Sequence, residues 1–156
     1  GFTVVGAHEV APGLLASSGV LGRTVPSETD RVDAALAADL LAATGRFDMG
    51  QGAVVAAGQV LALEGPEGTD AMLQRVAAMR RRRVRLEGRA GVLVKRPKPS
   101  QDRRIDIPAI GPRTIASAAA AGLAGIAVEA GGVVLIERPT LLAAADRAGL
   151  FVLGLM

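Results

Sequence analysis

Cysteine, tyrosine and tryptophan are absent from the 156-residue chain, and its only aromatic residues are Phe2, Phe47 and Phe151. Without cysteine there is no disulfide framework, no thiolate nucleophile and no cysteine metal cluster. The single histidine, His8, excludes zinc sites built from histidines. It also leaves a Ser-His-Asp triad with one candidate base, far from any nucleophile-elbow pattern; read locally, it is a hydrogen-bonded structural histidine. The longest uncharged apolar runs, Thr114 to Val128 and Val10 to Gly22, are too short to span a bilayer and contain Gly, Pro or Ser. Chemistry is therefore left to carboxylates, Lys/Arg, hydroxyls and backbone N–H groups.

Half of the residues are hydrophobic and only 21% are charged, which excludes a largely disordered chain. The length suits one domain with one sizeable core, built from Ala, Val and Leu because aromatics are scarce. The sequence starts at Gly1 and runs into a strand-like FTVVGA with no charged region before an apolar one. That pattern predicts no signal peptide and a segment upstream of the abrupt start.

Charge is unevenly placed. From Arg80 to Arg104 eleven Lys/Arg face two acids, a net +9, so the remainder of the +3 chain sums to −6. This polarity predicts one electropositive face for an anionic partner such as a nucleotide phosphate or a lipid phosphate. Nucleic acid is not expected, because no aromatic stacking platform accompanies the arginines. The run Arg80 to Arg83 also reads simply as the last turn of a helix, where cations favour the negative end of the macrodipole.

An internal repeat organises the chain. Residues 52–64, GAVVAAGQVLALE, align without gaps on 125–137, GIAVEAGGVVLIE, with six of thirteen positions identical. Each copy reads as strand, Ala-Gly turn, strand, which is a hairpin. Before the first copy, Ser27 with Asp30 starts a helix whose stripe Val32, Leu36, Leu40 and Ala43 ends at Gly45. Asp39 shares that face as a boundary carboxylate. Before the second copy, Pro112 opens an Ala-rich helix ending at Gly122. After the first hairpin Thr69 can cap a helix with Met72, Val76 and Met79 on one face; after the second, Pro139 opens Leu141 to Ala148. Strands Val92–Lys95 and Phe151–Leu155 follow. The expected fold is α/β: two α-β-β-α-β units, preceded by a strand and short helix in residues 2–17, around a mostly apolar sheet covered by helices on both faces.

Polar chemistry concentrates where the two units differ. The segment Glu64-Gly-Pro-Glu-Gly-Thr-Asp70 puts Glu67, Gly68, Thr69 and Asp70 at a helix N-terminus, where free N–H groups attract anions. Glu67 and Asp70 suit a hard cation such as Mg²⁺, and Thr69 suits phosphate. The same residues also read as an N-cap and a favourable first-turn acid. The Pro-rich connection from Lys95 to Gly111 is too long for an ordinary loop in a compact domain. Its Ile105, Ile107 and Ile110 pin its second half to the core. Within it, Asp102 lies among Lys98, Arg103 and Arg104, which keep it ionised for holding metal or orienting water; alone, it also reads as a solvated acid. The link Asp48-Met-Gly-Gln-Gly52 lacks the spacing of a P-loop or dinucleotide fingerprint and reads as a helix C-cap and turn.

These segments together resemble a known family. VVGAHEV at the start, D-x-G-Q-G (Asp48 to Gly52), V-L-A-x-E-x-x-E-G-T-D-A-M-L (Val60 to Leu73), K-x-x-K-P-x-Q-D-x-R-x-D-x-P-x-I-G-x-x-T (Lys95 to Thr114) and A-G-L-A-G-I-A-V-E-A-G (Ala121 to Gly131) are similar to the C-terminal region of the LpxI-type UDP-2,3-diacylglucosamine pyrophosphatases. Ser100 stands where the pattern has Gly, and Arg96 and Arg103 make the loop more basic.

The resemblance implies a Mg²⁺-dependent hydrolase of lipid A biosynthesis, cytoplasmic and peripheral to the inner membrane. It cleaves UDP-2,3-diacylglucosamine to UMP and 2,3-diacylglucosamine 1-phosphate. It further implies an N-terminal nucleotide-binding-like domain, with 1–22 an interdomain strand and linker segment and 23–156 the C-terminal catalytic domain. In this alignment Asp102 takes the essential acid's position. Gly68, Thr69, Lys95, Lys98, Gln101 and Arg104 are the expected substrate-binding residues, and Glu67, Asp70 and Asp106 the metal ligands. The competing reading is a non-catalytic domain binding a nucleotide or an anionic lipid surface. A pure anion binder gains nothing from carboxylates beside its cations, whereas a metal-dependent hydrolase needs them.

Overall fold

A computed structural model describes residues 12–82, 86–98 and 106–156. His8, Gln101, Asp102, Arg103, Arg104 and Ile105 lie outside the described residues, as does the strand expected near the N-terminus.

The chain forms β1 (Gly19–Val20), α1 (Glu28–Thr44), β2 (Gly52–Ala56), β3 (Gln59–Leu63), α2 (Gly68–Arg82), β4 (Val92–Lys95), β5 (Ala109–Ile110), α3 (Pro112–Ala120), β6 (Gly125–Glu129), β7 (Val134–Leu135), α4 (Arg138–Ala148) and β8 (Phe151–Leu155). Six strands make one mixed sheet in the order β1-β8-β6-β4-β2-β3, and β5 and β7 form a separate two-stranded sheet. Strands β4, β6 and β8 are parallel, β2 runs antiparallel to both β3 and β4, and β1 is antiparallel to β8. Residues 15–22, within the expected interdomain strand and linker segment, supply β1 and lie against this domain. Leu15 bridges Val134, the Ala16 side chain is buried and the Leu21 N–H donates to Val152.

The expectation of a sheet covered on both faces is met. Period-two alternation sends Ala53, Val55, Val92, Val94, Ala127, Phe151 and Leu153 toward α1. It sends Val54, Leu93, Ile126, Val128 and Val152 toward the other cluster, with Met72, Leu73 and Val76 of α2, Ile115 and Ala118 of α3, and Leu141 and Ala145 of α4. Among the described residues, no helix is long and apolar enough to cross a membrane.

Helix α1 starts as read: Ser27 and Asp30 form a reciprocal capping box. Its buried face is different. Asp33, Ala34, Ala37 and Leu41 are buried, whereas Val32 and Leu36 are 56% and 38% exposed. The apolar stripe misled because a charged residue belongs to the core side. The Asp33 carboxylate, 1% exposed, accepts hydrogen bonds from the N–H groups of Ala57 (2.9 Å) and Gly58 (2.8 Å). Both residues of that turn have positive φ, 50° and 74°, so the turn folds β3 directly back on β2.

The second copy of the repeat is not a hairpin. In its turn Gly131 alone has positive φ, and the N–H groups of Ala130 and Gly131 donate to Leu155 and Ala16. β6 stays in the large sheet while β7 pairs with β5, a pairing not foreseen from sequence. Among the described residues the basic stretch is divided between the two ends of β4. Lys95 and Arg96 lie at the carboxyl end of β4, while Arg80 to Arg82 end α2 as expected. There Arg80 donates to the carbonyls of Gly88, Ala90, Ala121 and Gly122, so this cation is spent inside the fold.

Asp33→Ala leaves two turn N–H groups without their charged acceptor. It should destabilise the domain by about 2–3 kcal/mol, read as a lower midpoint in urea denaturation, with Asp33→Asn intermediate.

Candidate active site

In an open α/β sheet the carboxyl ends of the parallel strands form the binding edge. Here α2, α3 and α4 precede β4, β6 and β8, so their N-termini reach that edge. β2 begins there too, since Gly52 pairs with Lys95, and β3 ends there, since Leu63 pairs with Ala53.

Alternation decides which face each side chain takes. Lys95 follows Leu93 onto the three-helix face, where it is only 6% exposed. Its Nζ donates to Thr69 Oγ1 at 2.7 Å and lies 3.8 Å from Glu64 Oε2. Thr69 Oγ1 in turn donates to Glu64 Oε1 at 2.9 Å. Burial pushes the Lys95 ammonium below the usual lysine range, opposed by the charges of Glu64, Asp70 and Asp106. Arg96, one residue on, turns to the α1 face. It bonds Glu129 at 3.0 Å and the Ala38 carbonyl at 3.2 Å. Lys98 pairs with Asp48 at 2.7 Å.

Thr69 does not cap α2. The helix begins one residue earlier, at Gly68 with φ 82°, and the Thr69 hydroxyl is committed to Glu64 and Lys95. A cleft of about 310 Å³ is lined by Glu67, Gly68, Thr69 and Asp70 from the start of α2 and by Ala109, Arg113 and Thr114 from the start of α3. Asp70 pairs with Arg113 at 3.0 Å. Thr114 Oγ1 accepts the Gly111 N–H at the mouth of α3.

Glu67, just before α2, is drawn to Arg75 of that helix. Its own backbone N–H first, then Arg75, holds its carboxyl below the usual range. The structure thus brings Gly68, Thr69, Asp70 and Lys95 together, with Asp106 close enough to act on Lys95. Glu67 lines the same cleft but is bound elsewhere, and Lys98 is held by Asp48. Among the described residues, no three His, Asp or Glu side chains gather as a metal site.

Sequence reasoning missed Glu64 and Arg113. The Glu64/Glu137 identity pointed to Glu64, but the role was assigned to its neighbours in the insertion.

The fold and this edge define an α/β domain with a polar cleft between the N-termini of two helices. The chain belongs to the LpxI C-terminal domain family, whose model matches residues 17–153. It is 51% identical over 155 residues to the UDP-2,3-diacylglucosamine pyrophosphatase LpxI of Caulobacter vibrioides. The match covers 99% of this chain and 55% of the relative, so the chain spans about half the relative's length.

Thr69→Val removes the hydroxyl that serves both Glu64 and Lys95. It should cost about 1–3 kcal/mol of stability in equilibrium denaturation, and Thr69→Ser should recover most of it.

Proposed function

We propose that the chain is the catalytic half of a hydrolase that cleaves the diphosphate of UDP-2,3-diacylglucosamine into UMP and 2,3-diacylglucosamine 1-phosphate. It would act in lipid A biosynthesis in the cytoplasm, at the surface of the inner membrane. The observation that carries the reading is the cleft between the starts of α2 and α3, lined by Asp70 and by the Thr69 that Lys95 bonds, in a chain half identical to a pyrophosphatase of that name.

In this reading the start of α2 at Gly68 and Thr69, where the Gly68 N–H is given to the Gly65 carbonyl at 3.2 Å, together with Lys95, Lys98 and Arg113, receives the diphosphate oxygens and neutralises charge as the bridging P–O bond breaks. Gln101 and Arg104 extend that binding surface. Asp102 orients the water that attacks phosphorus and accepts its proton, and the bridging oxygen leaves with the departing phosphate. An N-terminal nucleotide-binding-like domain of the same chain closes the site over the lipid-nucleotide.

Mg²⁺ is commonly held by one or two carboxylates plus substrate phosphates. Asp70 and Asp106 are the carboxylates whose charges reach Lys95, and Asp70 would have to exchange its pairing with Arg113 for the ion, as Glu67 would its pairing with Arg75. Asp70 and Asp106 would hold the ion, which when bound supplies additional neutralisation of the diphosphate.

With the full-length protein, Asp102→Ala should lower UMP release by about a hundredfold or more while substrate binding persists. Arg82→Ala, at the exposed far end of α2, should change the rate only mildly. Chelation should stop turnover and Mg²⁺ restore it, with Asp70→Asn and Asp106→Asn each raising the Mg²⁺ concentration required. Near-wild-type turnover by Asp102→Ala would defeat the catalytic assignment. A larger loss at Arg82 than at Asp102 would favour the anion-binding domain.

A further inference from the structure

We infer that Glu64 is a positioning residue, held in place by the glycine-rich link at 48–52, and that it fixes Lys95 and Thr69 for diphosphate binding; this rests on reading the cleft as the diphosphate site.

Three observations converge. First, the Glu64 backbone is locked to the start of β2: its N–H donates to Gly52 at 2.8 Å and its carbonyl accepts from Gly50 at 2.9 Å. Second, the link is shaped around the glutamate. A Cβ at Gly52 would stand 2.6 Å from Glu64 Oε2, and one at Gly50 would collide with the Glu64 carbonyl. Gly52 is thus explained by the room the Glu64 carboxylate needs, and Gly50 by the close pass of the backbone at residue 64. Third, Glu64 is 9% exposed, and its Oε1 accepts the Thr69 hydroxyl proton. Among the described residues its Oε2 has no hydrogen-bond partner, and it faces the Lys95 ammonium at 3.8 Å.

A carboxylate is costly to bury, and a hydrophobic residue would pack here more cheaply. What the carboxylate supplies is orientation. With Oε1 taking the Thr69 proton, the hydroxyl oxygen is turned to accept from Lys95; among the described residues that oxygen is the acceptor within hydrogen-bond distance of the ammonium, which Glu64 Oε2 faces from 3.8 Å, so a further acceptor can be served. A phosphate oxygen is an acceptor of the right charge.

The test uses the full-length protein and two readouts. In the first, limiting acetic anhydride labels the lysines, and mass spectrometry gives Lys95 acetylation relative to Lys98. These are the only two lysines in this chain, and Lys98 is held by Asp48 instead. Glu64→Gln should raise that ratio several-fold. Gly52→Ala, which keeps the carboxylate but displaces it, should do the same and carries the test if Glu64→Gln does not fold. Asp146→Asn, which weakens the tie from α4 to the Arg23 N–H (2.7 Å) at the β1–β8 end of the sheet, opposite β3, should leave the ratio unchanged.

In the second readout, Glu64→Gln should lower kcat/KM for UMP release by about tenfold, but by less than about twofold when Lys95 is already Met, because the two residues act as a unit. An unchanged labelling ratio in the folded variants, or losses that multiply in the double variant, would overturn the assignment. A changed ratio in a full-length protein that releases no UMP would keep the positioning role and reject the hydrolase reading.

Discussion

The edge of this molecule is organised around one ammonium group buried at the carboxyl end of β4. A lysine can be almost wholly buried only if acceptors meet it, because removing one partner of a buried pair leaves an uncompensated charge. Lys95 meets its acceptors from two different elements, Thr69 in the first turn of α2 and Glu64 just beyond β3. That requirement fixes where β3 must stop, where α2 must start and how close β2 must pass. The antiparallel β2–β3 pair placed beside a parallel core accomplishes it: β2 starts and β3 ends at the same edge where β4 delivers its lysine.

The two faces of that edge divide the labour. On the α1 side, Arg96 is consumed by Glu129 and the Ala38 carbonyl, which ties the sheet to its single covering helix. On the other side, three helices point their N-termini toward the same end. Orphan N–H groups and the macrodipole therefore add to the cations rather than oppose them. Arg113 answers Asp70 across the mouth of the cleft, so that two helix starts share one ion pair. Successive basic residues in a strand cannot act together, because they stand on opposite faces. Lys95 and Arg96 show this despite being adjacent in a region with a net charge of +9.

Most elements were legible from local rules. The capping box at Ser27, Pro112 at the start of α3, and the apolar strands Val92–Lys95 and Phe151–Leu155 all lie where the sequence puts them. The phase of α1 was not legible, because Asp33 is buried for the sake of a turn 24 residues away, and no local pattern reports such a partner. The two-stranded β5–β7 sheet was hidden for a related reason: two-residue strands carry no periodicity. At the site, the helix N-terminus was singled out from the insertion and Lys95 from the family resemblance, and the structure brings the two together. Glu64 was not singled out, because a glutamate following a strand looks like a surface residue until the glycines opposite it are seen to make room.

The two halves of the repeat show why residue identity alone does not specify a site. Glu64 and Glu137 occupy equivalent positions, each closing a strand-turn-strand segment. In the first copy both turn residues adopt positive φ and Asp33 satisfies their N–H groups, so the second strand folds straight back and carries Glu64 into the sheet edge. In the second copy the turn N–H groups go to Leu155 and Ala16, and β7 is drawn away to β5. Glu137 is left exposed, with φ 49°, at the head of α4. A left-handed conformation costs a non-glycine residue free energy. Glu64 is instead held by two strand-like hydrogen bonds to the start of β2. The difference between a buried positioning carboxylate and an exposed one is therefore made seven residues earlier, at Ala57, by whether the turn closes the hairpin.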